Sequence, residues 1–72
     1  MRILGIELGG WSVKAVEMES RFRRLEILEF HEVRLPLQIQ DPVEAYRQAV
    51  AQLLDRLPTH PEKIVASLPH NQ

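Results

Sequence analysis

The adjacent pair Gly9-Gly10 limits what this chain can fold into more than any other feature. It separates two apolar segments, 2–8 and 12–19, and leaves no room for a helix between them. Adjacent glycines mark a turn, because glycine reaches backbone conformations that other residues resist. Residues 2–8 are dense in Ile and Leu, interrupted only by Gly5 and Glu7. A strand with that composition is expected to be central and covered on both faces. Residues 12–19 alternate, with Lys14, Val16 and Met18 on one face and Val13, Ala15 and Glu17 on the other. The chain therefore opens with a strand, a tight turn and an antiparallel second strand.

The polar run Glu19-Ser20-Arg21 predicts the next turn, and a third strand is expected over 22–35. Its apolar residues are Leu25 and Ile27, then Leu28 and Phe30, then Val33 and Leu35. The apolar face changes twice, which predicts a bulge or a strong twist without placing it. Pro36 ends that strand. Asp41 then suits a helix N-cap, Pro42 the first helical position, and Glu44 the closing position of a capping box. Val43, Tyr46, Val50, Leu53 and Leu57 recur at steps of three and four, widened by Ala49 and Leu54. Pro58 stops the helix and Pro61 prevents a restart. Residues 63–68 read as a short last strand, from which Pro69-His70-Asn71-Gln72 leads away. The predicted fold is α/β, in the order β-β-β-α-β with one helix on one face. A right-handed crossover places the last strand parallel to the first, giving a mixed sheet of order 3-2-1-4.

With 72 residues this is one small domain, burying about 60% of the surface its unfolded form exposes. There is no cysteine, so neither a disulfide nor a thiolate metal site can brace it. Nine basic residues against ten acidic ones give a net charge of −1, which argues against nucleic acid as a partner. The short cluster Arg21, Arg23, Arg24 reads as a solvated hairpin end. No apolar run approaches the roughly 20 residues that cross a bilayer, so direct membrane insertion is not expected, and no signal peptide is visible. These features point to a cytoplasmic protein. One helix covers one face, whereas the first strand is apolar on both. The chain is thus expected to be the front piece of a longer protein and, on its own, to dimerise, swap elements or need a partner chain.

Chemistry is concentrated at the glycine turn. Gly9 and Gly10 can present backbone amides to an anion, Ser12 can add a hydroxyl donor, and Lys14 a positive charge for phosphate oxygens. Glu7, at the end of the first strand, can hold a magnesium ion through water. A plain β-hairpin with an exposed lysine is the alternative, and the pattern matches neither a Walker loop nor a Rossmann fingerprint. His31, His60 and His70 share no metal-site spacing and are expected to be solvated. Glu26, Glu29 and Glu32 read as a solvated strand surface, with Glu26 and Glu32 on one face.

The run from Leu4 to Glu17 resembles the first phosphate motif of the actin-like ATPase superfamily, which includes actin, sugar kinases and the heat-shock chaperone ATPases. Within it the run is similar to the opening of PilM-type pilus assembly proteins, relatives of FtsA, and of GspL-type secretion components. Those chains begin Gly-Ile-Asp-Ile-Gly-x-x-Ser-Val-Lys and continue Val-Glu. Here Gly5, Ile6, Gly9, Ser12, Val13, Lys14, Val16 and Glu17 fall in step. The likeness continues through a long third strand ending in Leu35-Pro36, a capped helix, and Ile64-Val65-Ala66-Ser67-Leu68-Pro69. Two positions depart from the pattern: Glu7 replaces the aspartate, and Trp11 stands where a small residue is usual.

The resemblance implies a ribonuclease-H-like (actin-like ATPase) half-subdomain. It implies phosphate binding by Gly9, Gly10, Trp11, Ser12 and Lys14, with Glu7 as the water-mediated magnesium contact and no catalytic residue in this stretch. ATP and magnesium are implied for a full-length parent and not for this chain alone, because the second phosphate loop and the adenosine pocket lie further along such proteins. The function implied is a cytoplasmic scaffold of a type IV pilus or type II secretion platform. It would be held peripherally at the inner membrane by a membrane-anchored protein with a short cytoplasmic tail, PilN in the PilM case. The alternatives are a piece of a sugar-kinase-like phosphotransferase, and a stand-alone α/β protein-binding module.

Overall fold

A computed structural model describes residues 1–68. Strands β1 (Arg2–Leu8), β2 (Ser12–Arg21) and β3 (Arg24–Arg34) are followed by helix α1 (Pro42–Arg56) and strand β4 (Lys63–Ser67). The sheet has the expected order β3-β2-β1-β4, antiparallel except for the β1–β4 pair, which is parallel. The stretch from Pro69 onward, including His70, lies outside the described residues.

The second hairpin departs from expectation in a way that backbone geometry explains. β2 runs on to Arg21, and the turn falls on Phe22 and Arg23, both left-handed at φ 50° and 83°. Arg21 pairs with Arg24 across this two-residue loop. Two consecutive left-handed residues match the right-handed twist of the strands they join, a role usually taken by Asn-Gly. Neither Phe22 nor Arg23 advertises that role, so the polar run before them looks more turn-like.

The bulge anticipated in the third strand sits at Leu28. Glu17 pairs with Glu29 and Met18 with Ile27, leaving Leu28 as the extra residue. One inserted residue reverses which side chains point up beyond it. Glu26 and Glu29 therefore share the helix side of the sheet while Glu32 lies on the other, contrary to the simple alternation that grouped Glu26 with Glu32.

Helix α1 begins as its sequence dictates. The Asp41 carboxylate accepts the Val43 amide at 3.1 Å, with Pro42 in the first helical position. The capping box stays open, since Glu44 turns outward to Arg47 and Gln48. At the far end Leu57 is the C-cap and donates its amide to Leu54. The buried stripe is Ala45, Ala49 and Leu53, and Val43 is exposed instead of joining it. Small residues at 45 and 49 let the helix lie close against β2 and β3. The core is Leu4, Ile6, Val13, Ala15, Val33, Ala49 and Leu53, all between the helix and one sheet face.

That face also buries a polar cluster. Glu17, only 4% exposed, is bonded by His31 Nε2 at 2.7 Å and by the Arg2 guanidinium at 3.3 Å. His31 is therefore partnered and half-buried, not solvated as the sequence suggests, whereas His60 is exposed. A buried carboxylate without such partners would be strongly destabilising.

The opposite face has no covering layer among the described residues. Register sets its side chains in rows across the strands. Lys63, Ile3, Met18 and Ile27 form one row, then Val65, Gly5, Val16 and Phe30, then Ser67, Glu7, Lys14 and Glu32. Ile27, Phe30 and Val65 are each more than half exposed.

Candidate functional site

The first hairpin closes through the Gly9 amide, which donates to the Ser12 carbonyl at 2.9 Å, leaving Gly10 and Trp11 at the tip. Neither glycine has a positive φ, so the expected conformational reason for this pair does not apply. Space explains Gly9 instead: a Cβ there would meet the Ser12 carbonyl oxygen at 3.0 Å, tighter than such contacts normally run. Gly10 has open space around it, with nothing within 4 Å of an added Cβ. Two contacts hold the hairpin against the rest of the molecule. The Tyr46 hydroxyl donates to the Gly9 carbonyl at 2.6 Å, and the Leu35 amide donates to the Trp11 carbonyl at 2.9 Å.

The residues singled out for phosphate binding divide between these roles. Gly9 uses its amide and its carbonyl inside the protein. The amides of Gly10 and Trp11 donate to nothing among the described residues. The Trp11 side chain is 83% exposed and stands away from the hairpin. Ser12 is buried, and its hydroxyl donates to Glu32 Oε2 at 2.7 Å. Lys14 is exposed on the open face, directly between Glu7 on β1 and Glu32 on β3.

Glu7, the proposed magnesium contact, is exposed beside Lys14 and Ser67. No group of three or more His, Cys, Asp or Glu among the described residues is placed to hold a metal. A water-mediated contact from one carboxylate is the arrangement the fold allows. Magnesium retains most of its waters, so a single exposed carboxylate beside a lysine is a weak attraction for it.

These side chains line a shallow depression of about 600 Å³ on the open face, over Gly5, Glu7, Lys14, Val16, Phe30 and Glu32. Its floor is apolar and its polar groups are confined to the hairpin end. Electrostatically that end is mixed, with two carboxylates flanking one ammonium, so a polyanion gains little there over water.

Sequence reasoning missed Glu32 and Tyr46 as parts of this site. Glu32 was hidden because its face depends on the bulge at Leu28. Tyr46 was legible as a stripe residue with a polar tip, and such a tip usually finds a partner when buried. At the other end of the sheet, Glu19 is held below the usual carboxylate range. The main cause is a hydrogen bond from the N-terminal ammonium, and the second is one from Arg2.

No protein-family model matches the sequence, and no curated protein matches it either. Among solved structures the fold resembles the PPX-GPPA enzyme of Aquifex aeolicus, with a TM-score of 0.64 at 20% identity. The match covers 94% of this chain and 26% of that one, so the chain spans about a quarter of its neighbour's length. The fold is thus the β-β-β-α-β half-subdomain of the actin-like, ribonuclease-H-like class. No helix among the described residues is long and apolar enough to cross a membrane.

Proposed function

We propose that this chain is an assembly component whose glycine hairpin descends from a phosphate loop and now serves structure. The observation that carries this reading is the 2.7 Å hydrogen bond from the Ser12 hydroxyl to Glu32. It occupies the Ser12 hydroxyl proton that a phosphate oxygen would otherwise take, and it sets a carboxylate beside that hydroxyl. Like charges in that position oppose anion binding. In this reading the chain forms the first part of a longer actin-like domain, and ATP and magnesium have no tight site on it. By the resemblance of Leu4–Glu17 to PilM and GspL openings, the platform would be that of a type IV pilus or type II secretion system. The chain would be cytoplasmic, held at the inner membrane through the short tail of a membrane-anchored partner.

The likeness to an enzyme of the same fold class favours a second reading, a sugar-kinase-like phosphotransferase in which the hairpin still holds ATP. Calorimetric titration of magnesium-ATP into the full-length protein separates the two. The assembly reading expects no saturable heat from the wild-type full-length protein at millimolar nucleotide. It expects weak binding to emerge in Glu32→Ala, where the Ser12 hydroxyl is released and one negative charge removed. Micromolar binding by the wild type, lost in Lys14→Ala, would overturn it in favour of the phosphotransferase. Deleting the gene in its native host tests the assembly role, which fails if surface pili and protein export are both unchanged.

A further inference from the structure

We infer that the tip of the β2–β3 hairpin, Arg21-Phe22-Arg23-Arg24, docks this protein on an anionic lipid surface. The Phe22 ring enters the headgroup layer and the arginines meet lipid phosphates. The inference goes beyond the assembly reading and depends neither on it nor on nucleotide binding.

The first argument is that this tip breaks two rules of a turn that only has to fold. Phe22 and Arg23 hold positive φ, at 50° and 83°, where Asn-Gly would sit without strain. Arg21 pairs directly with Arg24, and like charges facing each other across two strands repel. The Phe22 ring offsets neither cost within the chain, since it is 95% exposed. Strain and local conflict of this kind concentrate where function requires them. A phosphate surface resolves the conflict, because it bonds and neutralises the facing guanidinium groups. The headgroup region likewise takes up an exposed aromatic ring flanked by arginines.

The second argument is place and charge. Arg2, where β1 begins, pairs with Glu19, so Ser20 to Leu25 run past β1 as a two-stranded ribbon. A layer packed on either face of the sheet lies against β1 and its neighbours and leaves that ribbon overhanging. The whole chain carries a net charge of −1, so it would carry −4 without the three arginines of the tip. Of the nearest carboxylates, Glu19 is bonded by Arg2 at 3.2 Å, and Glu26 pairs with Glu19 behind the tip. Leu25 is exposed beside the arginines and adds apolar surface at the same level. A protein partner would have to enclose the ribbon to bury it, whereas a headgroup layer closes around any projecting shape.

Vesicle co-sedimentation of the full-length protein tests the proposal, with any segment that packs on the tip then present. Binding is expected to vesicles of equal parts phosphatidylglycerol and phosphatidylcholine and not to phosphatidylcholine alone, and it should weaken as salt rises. Arg21→Gln with Arg24→Gln should weaken it about twentyfold, at about fivefold for each arginine. Phe22→Asn with Arg23→Gly relaxes the turn, yet it should weaken binding about fiftyfold. A loss in that variant, with its melting point raised, cannot be ascribed to unfolding. Phe22→Trp in a Trp11→Phe background should shift its emission to the blue on the mixed vesicles. Absence of binding to those vesicles overturns the proposal, as does equal binding to both compositions, an unshifted emission, or wild-type binding by either double variant. Polyglutamate bound as tightly as the mixed vesicles would assign the tip to an acidic protein and overturn it too.

Discussion

The hydroxyl of Tyr46 donates to the carbonyl of Gly9 across 2.6 Å, fastening the glycine hairpin to the helix that follows it by more than thirty residues in sequence. Replacing Tyr46 by Phe keeps the ring in the core margin and removes only this bond. Urea denaturation should register a loss of about 1 kcal/mol. Exchange of the hydrogen-bonded amides of Gly9 and Leu35, which hold the hairpin, should accelerate more than exchange in β3. Uniform acceleration would show that the bond does not locate the hairpin.

The two glycines of that hairpin are not equivalent. An added methyl at Gly9 collides with the Ser12 carbonyl, whereas one at Gly10 meets open space without a positive φ to oppose it. Gly9→Ala should destabilise by about 1–3 kcal/mol, the usual cost of overpacking. Gly10→Ala should be neutral or stabilise by up to about 1 kcal/mol, through the entropy it removes from the unfolded chain. Thermal melts that rank the two variants in the opposite order would refute this account.

Phe22 and Arg23 hold left-handed backbone conformations that cost each of them about 1–2 kcal/mol. Phe22 is 95% exposed, so its ring contributes almost no packing to offset that strain. The double substitution Phe22→Asn with Arg23→Gly should raise the melting temperature by several degrees, since a domain of this size gains about 4–8 °C per kcal/mol. An unchanged or lower midpoint would mean that the turn is not strained as its angles indicate.

Two carboxylates give the fold an acid-sensitive limb. Glu19 is lowered from 4.5 by the N-terminal ammonium and then Arg2, and Glu44 is lowered from 4.5 by Arg47 and then Gln48. Groups with depressed folded-state values contribute stability above their unfolded value, and that contribution disappears as pH falls through the folded value. Stability should therefore be flat near neutrality and decline on acidification below about pH 4.5. Salt should shrink the contribution, because both groups lie at the surface. Glu44→Gln should flatten part of the limb, and an unchanged acid profile in that variant would remove Glu44 from the explanation.

Much of the fold was legible because it is written locally. Asp41-Pro42 opens the helix, Pro58 follows its end, and the apolar runs announce the strands. The site was less legible. Ser12 and Lys14 stand out by motif, yet what they face depends on which way β3 presents Glu32. The glycine pair announced a turn correctly while concealing the reason for it, which is the close approach of Gly9 to Ser12 and not backbone freedom.

By itself the sequence determined the element order and the handed crossover that sets β4 beside β1, since periodicity, caps and strand twist act over a few residues. Tertiary structure alone decided the rest. The bulge at Leu28 turned Glu32 toward Ser12, and burial paired His31 and Arg2 with Glu17. A one-residue slip leaves almost no mark on composition, yet it reverses every side chain beyond it. That is why the carboxylate now bonded to Ser12 could be found only in three dimensions.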